Sequence, residues 1–306
     1  MFTVGMSLPA VFGTDVPKGN YADLTTKGFE LSVSWRDQFQ LASKPFNYEV
    51  RFTLADYQST IDKYNNPEKK LGDDYYYEGM KVGEIWGYET EGFFTSQADI
   101  DSHAKQPYFY AGATAGQWLP GDIKFKDLNG DGVIDYGNNT VDNPGDQKII
   151  GNSEPRFIYG INLSGDWNNF FVSAFFQGVG KQDWWPGSEA SYFWGMYNRP
   201  YNDMPKSHLG NIWTEENPNT YFPRLRGYSS EEPYAELNLK QTRYLQNIAY
   251  IRMKNIQLGY TLPKSFISKL RMQNAKVYVS GENLWSWSPF LSLIHISEPT
   301  RQEAIS

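Results

Sequence analysis

The segment from Asp127 to Asp135 (DLNGDGVID) carries side-chain oxygens at the spacing of a calcium-binding loop. Hard cations require several convergent oxygen ligands, and a glycine at the sixth loop position permits the sharp turn that brings those ligands together. Here that glycine is Gly132, and the five ligand positions fall on Asp127, Asn129, Asp131, the backbone carbonyl of Val133, and Asp135. The twelfth position is Asn138, however, where a bidentate glutamate is usual.

Two interpretations of this loop therefore stay open. Ca²⁺ could be a structural cofactor that stiffens an exposed loop. Alternatively, the Asp and Asn side chains could hydrogen-bond to their own backbone and form a turn without metal.

A group of aromatic residues could bind a ligand by stacking. Flat aromatic rings bury the apolar faces of sugar rings, whereas their polar edges stay hydrated. The alternative, which we favour, is that these residues pack the loop onto itself or against a partner protein that covers it. The residues are Trp184, Trp185, Tyr192, Trp194 and Tyr197.

No pattern in the chain predicts catalysis. His103 and His208 lie in loop-like segments without a Ser or Asp partner arrangement, and none of the 35 acidic residues falls in a recognisable acid/base frame. The chain has no cysteine, which excludes thiol chemistry and disulfides, and it contains no GxSxG or HExxH motif. We predict that the protein is not an enzyme.

The elements that would position these residues are strands with alternating polarity. From Thr25 to Asp56 the chain predicts a hairpin with two arms of about 10 residues, the length of a tilted strand that crosses a bilayer. Each arm has one apolar and one charged face. The apolar positions are Phe29, Leu31, Val33 and Trp35 in the first arm, and Phe46, Tyr48, Val50, Phe52 and Leu54 in the second.

Two further hairpins are predicted at residues 157–180, with a turn over Asp166 to Asn169, and at residues 250–287. Long polar or aromatic-rich loops, residues 57–155 and 181–241, separate the hairpins. Outer-membrane barrels combine short periplasmic turns with long external loops, so we expect both long loops to be extracellular. The barrel lumen would then be lined by Glu30, Arg36, Glu49, Arg51 and Lys276. In a soluble sheet the same charges would simply be solvated. Interfacial aromatic girdles would contain Tyr88, Trp86, Trp167, Trp285 and Trp287, which are near predicted strand ends. Ordinary strand packing is the alternative for these residues.

Composition agrees with a strand-rich chain. Of 306 residues, 17% are aromatic, and mean hydropathy is -0.59 without any apolar stretch long enough for a transmembrane helix. The net charge of -7 and the lack of a basic stripe argue against a nucleic-acid partner.

Several sequence segments resemble those of one protein family, both in their residues and in their order along the chain. The phrases are GEIWGYETEGFF (83–94), PGDIKFKDLNGDGVID (120–135), IIGNSEPRFIYGINLSGDW (149–167), SAFFQGVGKQDWW (173–185), YLQNIAYIRMKNIQLGYTLPKS (244–265) and VYVSGENLW (277–285). They resemble the carboxyl-terminal barrel region of SusC/RagA-type TonB-dependent outer-membrane transporters, and the likeness extends over residues 1–290.

The resemblance implies an all-β, antiparallel transmembrane barrel of about 22 strands with a plug. Such transporters import oligosaccharides or peptides, take energy through TonB, and work with a SusD-like surface lipoprotein. The chain shows no TonB-contacting segment, plug or signal peptide, so we expect it to be incomplete at both ends. About six to eight strands would then form an open curved sheet with unsealed edges. Residues 291–306 resemble the translation of a sequencing adapter, and we expect them to be non-native.

Two other functions compete with an outer-membrane importer. A secreted calcium-dependent carbohydrate-binding β-sandwich would also explain an acidic loop and many aromatics, and an outer-membrane adhesin would explain the barrel without transport. A sandwich covers its apolar faces with a second sheet, whereas a barrel wall leaves one outward apolar band in contact with lipid tails. Burial of the apolar faces therefore distinguishes the sandwich from the barrel.

Overall fold

The computed structural model describes residues 2–4, 18–20, 22–73, 75–106, 118–198, 201, 203–226, 230–231, 235–268 and 272–290. The predicted non-native tail, residues 291–306, lies outside these described residues. In chain order the strands are β1 (Phe2–Val4), β2 (Lys18–Asn20), β3 (Asp23–Leu41), β4 (Lys44–Lys63), β5 (Glu84–Tyr88), β6 (Thr90–Phe93), β7 (Ile123–Phe125), β8 (Gln147–Asn152), β9 (Arg156–Trp167), β10 (Phe170–Lys181), β11 (Asp183–Trp184), β12 (Gln246–Asn247), β13 (Tyr250–Thr261) and β14 (Lys276–Trp287).

Helices are short. They are α1 (Gln97–Ser102), α2 (Ser191–Trp194), α3 (Lys264–Ile267), and the 3-10 turns Gly195–Tyr197 and Lys206–His208. Ser96 caps α1, because its side chain accepts a hydrogen bond from the backbone N–H of Asp99.

Six long strands form one antiparallel sheet in the order β14-β13-β10-β9-β4-β3. In the described part of the chain, the outer strands β3 and β14 do not pair with each other, so the sheet is open. This confirms the predicted all-β fold, an incomplete barrel wall with unsealed edges.

The strand register places apolar residues of all six strands on one face. Because side chains alternate along a strand, one aligned row is enough to assign both faces of the sheet. One row runs Val33, Phe52, Ile161, Phe176, Met253 and Trp285. The adjacent row on the opposite face runs Ser34, Arg51, Asn162, Phe175, Asn255 and Glu282.

The apolar face is bare. Trp35 is 62% exposed, and Val279 at the far side of the sheet is 77% exposed. Among the described residues no second sheet covers this face, since the remaining sheets are two-stranded and arise from other segments. The uncovered apolar band is the arrangement expected of a barrel wall and not of a β-sandwich.

The first hairpin is longer than the sequence pattern indicates. β3 and β4 contain 19 and 20 residues, whereas about 10 were predicted for each arm. Beyond the apolar band the two strands continue through polar pairs, including Thr26 Oγ1 and Ser59 Oγ at 2.7 Å. The prediction was wrong in length because this extension carries no apolar alternation.

The six long strands have five connections, of which three are short and two are the long insertions. Two of the three short connections are tight turns. Ala42 and Ser43 join β3 to β4, and Asn168 and Asn169 join β9 to β10, all four with positive φ. A positive φ at both turn residues matches the twist of the strands in two-residue hairpins, and Asn adopts a positive φ readily. The third connection, between β13 and β14, contains α3. These connections share one end of the sheet, opposite the long insertions.

The two insertions span positions 64–155 and 182–249, and their described residues fold together at the other end of the sheet. We call them the insertion body. Its backbone joins the two segments directly: the N–H of Tyr88 donates to the carbonyl of Lys240 at 2.8 Å, and the N–H of Thr242 donates to the carbonyl of Tyr88 at 3.0 Å. Both insertions contribute to one core of Tyr88, Ile123, Phe125, Ile134, Phe193, Trp194, Tyr197, Phe222, Leu237 and Tyr244.

The residues predicted to form aromatic girdles lie in two different parts of the structure. Trp167, Trp285 and Trp287 lie on the apolar face at the ends of the sheet strands, as expected. Tyr88 and Trp86 instead belong to β5 in the insertion body, where Tyr88 is buried in the core. Their assignment to a girdle was wrong, because a short strand in an insertion has the same aromatic-rich sequence as the end of a barrel strand.

Candidate functional site

The calcium-like loop holds its shape through its own side chains. The Asp127 carboxylate accepts the N–H groups of Gly130 at 2.6 Å and Gly132 at 2.9 Å, and Asp131 accepts the N–H of Val133 at 2.8 Å. Gly132 has φ +83°, which agrees with the predicted sharp turn. These are the local side-chain to backbone bonds of a turn rich in Asp and Asn.

Predicted ligands of this loop form hydrogen bonds with nearby residues of the chain. Asn129 bonds to Asp131, and Asp135 accepts the N–H of Gly137 at 2.7 Å. In the part of the chain that the structure describes, no group of three or more His, Cys, Asp or Glu side chains could hold a metal ion. Calcium binding by Asp127, Asn129, Asp131, Val133 and Asp135 stays a prediction.

Asp146 organises the loop, and sequence analysis missed it. This fully buried carboxylate accepts the N–H of Leu128 at 2.7 Å with one oxygen and the N–H of Asp135 at 2.9 Å with the other. It thereby ties both ends of the loop to the start of β8. Asp146 lies outside the calcium spacing and gives no local signal.

The five predicted aromatic residues occupy different environments. Trp194 and Tyr197 are fully buried, so neither presents a surface to a ligand or a partner in this structure. Tyr192 is 91% exposed. Trp184 and Trp185 are half-buried, and the Trp184 ring makes an edge contact with Phe290 at a centroid distance of 5.4 Å.

Trp194 lies at the centre of the insertion core. Its ring makes edge-on contacts with Phe193 and Tyr244 at centroid distances of 4.8 and 5.3 Å, and its Nε1–H donates to the carbonyl of Pro186 at 2.8 Å. These contacts give Trp194 a packing role, the interpretation we favoured from sequence for this group.

A buried charged cluster fastens the two insertions to each other. Asp122, fully buried, accepts hydrogen bonds from the Nε atoms of Arg224 at 2.5 Å and Arg226 at 2.8 Å. Nearby, Glu236 accepts the backbone N–H of Ile123 at 3.0 Å. Burial and the Asp122 carboxylate raise the pKa of Glu236 above its usual range. Buried ion pairs of this kind favour one arrangement of the chain, because separating them leaves an uncompensated charge.

Neither described histidine is placed for catalysis. The Nε2 of His103 lies 2.8 Å from the carbonyl of Phe125, and that of His208 lies 2.9 Å from the carbonyl of Phe193. Burial lowers the pKa of His208. Both rings serve as packed hydrogen-bonding groups within the insertion body.

The polar face of the sheet carries the predicted lumen-lining charges. Arg36 and Glu49 form an ion pair at 3.0 Å across β3 and β4, and the ammonium of Lys276 lies 5.3 Å from the centre of the Phe171 ring. The register puts Glu30 and Arg51 on this same face.

An open antiparallel wall, apolar on one face and charged on the other, with folded insertions at one end, defines part of a transmembrane β-barrel. No described helix has the length and apolar character needed to cross a membrane. No protein-family model matches the chain.

Some curated and solved proteins are similar to this chain. Two proteins of Formosa agariphila, named TonB-dependent receptor P3 and P26, are each 26% identical to this chain over 299 residues. The alignments cover 92% and 93% of this chain but 26% and 27% of the relatives, so the chain spans about a quarter of their length. A solved structure, the RagAB peptide transporter, matches 94% of this chain and 28% of its own with a TM-score of 0.63 and 17% identity.

The chain is therefore related to the TonB-dependent receptors. The predicted resemblance to the SusC/RagA type is confirmed, and the fold is that of part of a receptor barrel.

Proposed function

We propose that the chain forms part of the wall of a TonB-dependent importer in the cell outer membrane, with no enzymatic activity. The observation that carries this proposal is the bare apolar band. The uncovered apolar surface extends over six strands, and the opposite face carries Arg36, Glu49 and Arg51. A large exposed apolar face marks a surface that contacts another protein or a membrane. A wall between lipid and an aqueous lumen requires this pair of faces.

The proposed cargo is an oligosaccharide or a peptide, and the proposed partners are a SusD-like surface lipoprotein and TonB. The receptors that this chain resembles support the role of TonB, and the structurally similar RagAB complex is a peptide transporter, which supports a peptide as one cargo class. We place the insertion body on the extracellular side, because long connections occur on that side in outer-membrane barrels.

Single-cysteine labelling tests the orientation of the wall. The chain has no cysteine, so each introduced thiol is its only one. Val33→Cys, Leu163→Cys and Val279→Cys would each carry a fluorophore on the apolar face. Their matched controls on the polar face are Ser34→Cys, Ser164→Cys and Ser280→Cys.

In phospholipid vesicles we expect nitroxide-labelled lipids to quench the apolar-face fluorophores and aqueous iodide to quench the polar-face fluorophores. If nitroxide lipids quench both sets equally, the band does not face lipid and the proposal fails. Import itself is tested by uptake of radiolabelled oligosaccharides or peptides in cells expressing the gene that encodes this chain. Depletion of TonB should abolish that uptake, and undiminished uptake would refute the energy source.

A further inference from the structure

The insertion body contains two adjoining cavities that the buried aromatic core does not fill. Their volumes are about 560 and 540 Å³. Each lies within the range of about 300 to 1,000 Å³ that is usual for small-ligand sites. We call them together the double cleft. Both are lined by Gly72, Asp73, Tyr75, Met80, Glu84 and Lys240.

Aromatic side chains line both halves of the double cleft. The first half contains Trp86 and Tyr136, and the second contains Trp184 and Trp185. Tyr75 lines both halves and is 48% exposed, so its ring is accessible to a ligand. Flat, accessible rings fit the apolar faces of sugar rings.

Tyr192, Trp194 and Tyr197 line neither half. The structure thus separates Trp184 and Trp185 from the other three residues of the predicted aromatic group. The separation arises because the chain turns through α2 directly after the second half of the cleft, which directs Trp194 into the core.

Glu84 is held at the junction of the two halves. The Trp86 Nε1–H donates to the Tyr77 hydroxyl at 3.2 Å, and that hydroxyl donates to the Glu84 carboxylate. The backbone N–H of Lys81 donates to the second carboxylate oxygen at 3.1 Å. A carboxylate fixed in this way accepts hydrogen bonds from ligand hydroxyls with little loss of conformational entropy.

The lining of the double cleft is acidic. Among its described residues, Asp73, Glu84, Glu154 and Glu189 supply four carboxylates, and Lys240 supplies one ammonium, which leaves a formal charge of -3. Lys240 is also paired with Asp73, so its charge is already partly neutralised. An anionic ligand would meet net repulsion at this surface.

We propose that the double cleft binds an uncharged oligosaccharide and discriminates against acidic glycans. Sugar rings stack on Tyr75 and Trp184, and hydroxyl groups donate to Glu84. This inference rests on the proposed import function, because it assigns a cargo class to the extracellular insertions. It would place a cargo contact outside the lumen, on residues contributed by both insertions.

Calorimetric titration of the full chain in detergent micelles tests the proposal. The probes are an uncharged glucose hexasaccharide, an uncharged xylose hexasaccharide, a galacturonate hexasaccharide, and an uncharged hexapeptide. We expect at least one neutral glycan to bind at least tenfold more tightly than galacturonate. Binding of the peptide alone, or equal binding of galacturonate, would overturn the proposal.

Variants locate the site. Tyr75→Ala and Trp184→Ala should each weaken neutral-glycan binding about tenfold, whereas the exposed control Tyr192→Ala should leave it unchanged. Glu84→Gln should reduce the discrimination against galacturonate, a readout that loss of folding would not produce. Loss of binding in Tyr192→Ala alone would place the site elsewhere. The lipid-quenching experiment is independent of these titrations, so the wall assignment can hold even if the cleft binds no glycan.

Discussion

Replacing Leu163 by arginine should destabilise the protein in a membrane far more than the same change at the next residue. Leu163 lies on the apolar face of the central strand β9, between Val50 and Ala174 of its neighbours. It is midway between Tyr159 and Trp167 on that face, which places it near the centre of the band. An arginine at the midplane of a barrel's lipid face costs about 2 to 4 kcal/mol.

Ser164→Arg is the matched control. Ser164 faces the polar side, opposite Glu49 of β4 and Ser173 of β10. An arginine there meets a carboxylate in water, and cross-strand pairs of opposite charge contribute roughly 0.2 to 1 kcal/mol. We therefore expect the control to stay within about 0.5 kcal/mol of the parent protein.

Urea unfolding in phosphatidylcholine vesicles, followed by tryptophan fluorescence, measures both variants. The expected difference in unfolding free energy is about 2 kcal/mol or more, a roughly 30-fold change in the equilibrium constant. Equal costs for the two variants, or a larger cost for Ser164→Arg, would show that the apolar band does not contact lipid. That result would favour the alternative of a β-sandwich, in which a second sheet covers the apolar face.

Three further predictions concern the insertion body. Trp194→Ala should lower the free energy of unfolding in urea by about 3 to 5 kcal/mol because it leaves a cavity in the core. The exposed control Tyr192→Ala should lower it by under about 0.5 kcal/mol. Similar costs for the two variants would contradict the placement of Trp194 in the core. Asp146→Ala should lower the melting temperature more than Asp131→Ala, because the fully buried Asp146 carboxylate accepts two half-buried N–H groups, whereas Asp131 accepts an exposed one. A calcium-dependent rise in melting temperature that is lost in Asp131→Ala would support a metal site. Burial raises the pKa of Glu231 to about 8, so between about pH 4.5 and 8 the folded protein keeps a proton that the unfolded chain releases, and the stability of the fold declines as pH rises through this window. Glu231→Gln should flatten the decline in melting temperature over that window. An unchanged slope would refute this.

Glu231 illustrates why the insertions resist prediction. In the described part of the chain neither of its carboxylate oxygens has a hydrogen-bond partner, although the side chain is buried. Its sequence neighbours are polar, and nothing local distinguishes it from a solvated glutamate. Its burial is a property of the folded insertion and not of its neighbours in sequence.

Trp194 and Trp185 make the same point for aromatic residues. They lie nine residues apart in one insertion and look alike in sequence. Trp194 is fully buried between Phe193 and Tyr244, whereas Trp185 borders a cavity. The difference depends on α2 and on contacts with Tyr244, some 50 residues away. Stacking chemistry could be inferred from the residue type, but accessibility could not.

The sequence by itself determined the barrel wall. Side chains on a strand point to alternate faces, so alternation at Phe29, Leu31 and Val33 defines an apolar face before any strand is paired. Only the tertiary structure decided the length of the first hairpin, the burial of Tyr88 and Trp194, and the cleft at Glu84. Those features depend on contacts between distant segments, and such contacts leave no periodic signal in the chain.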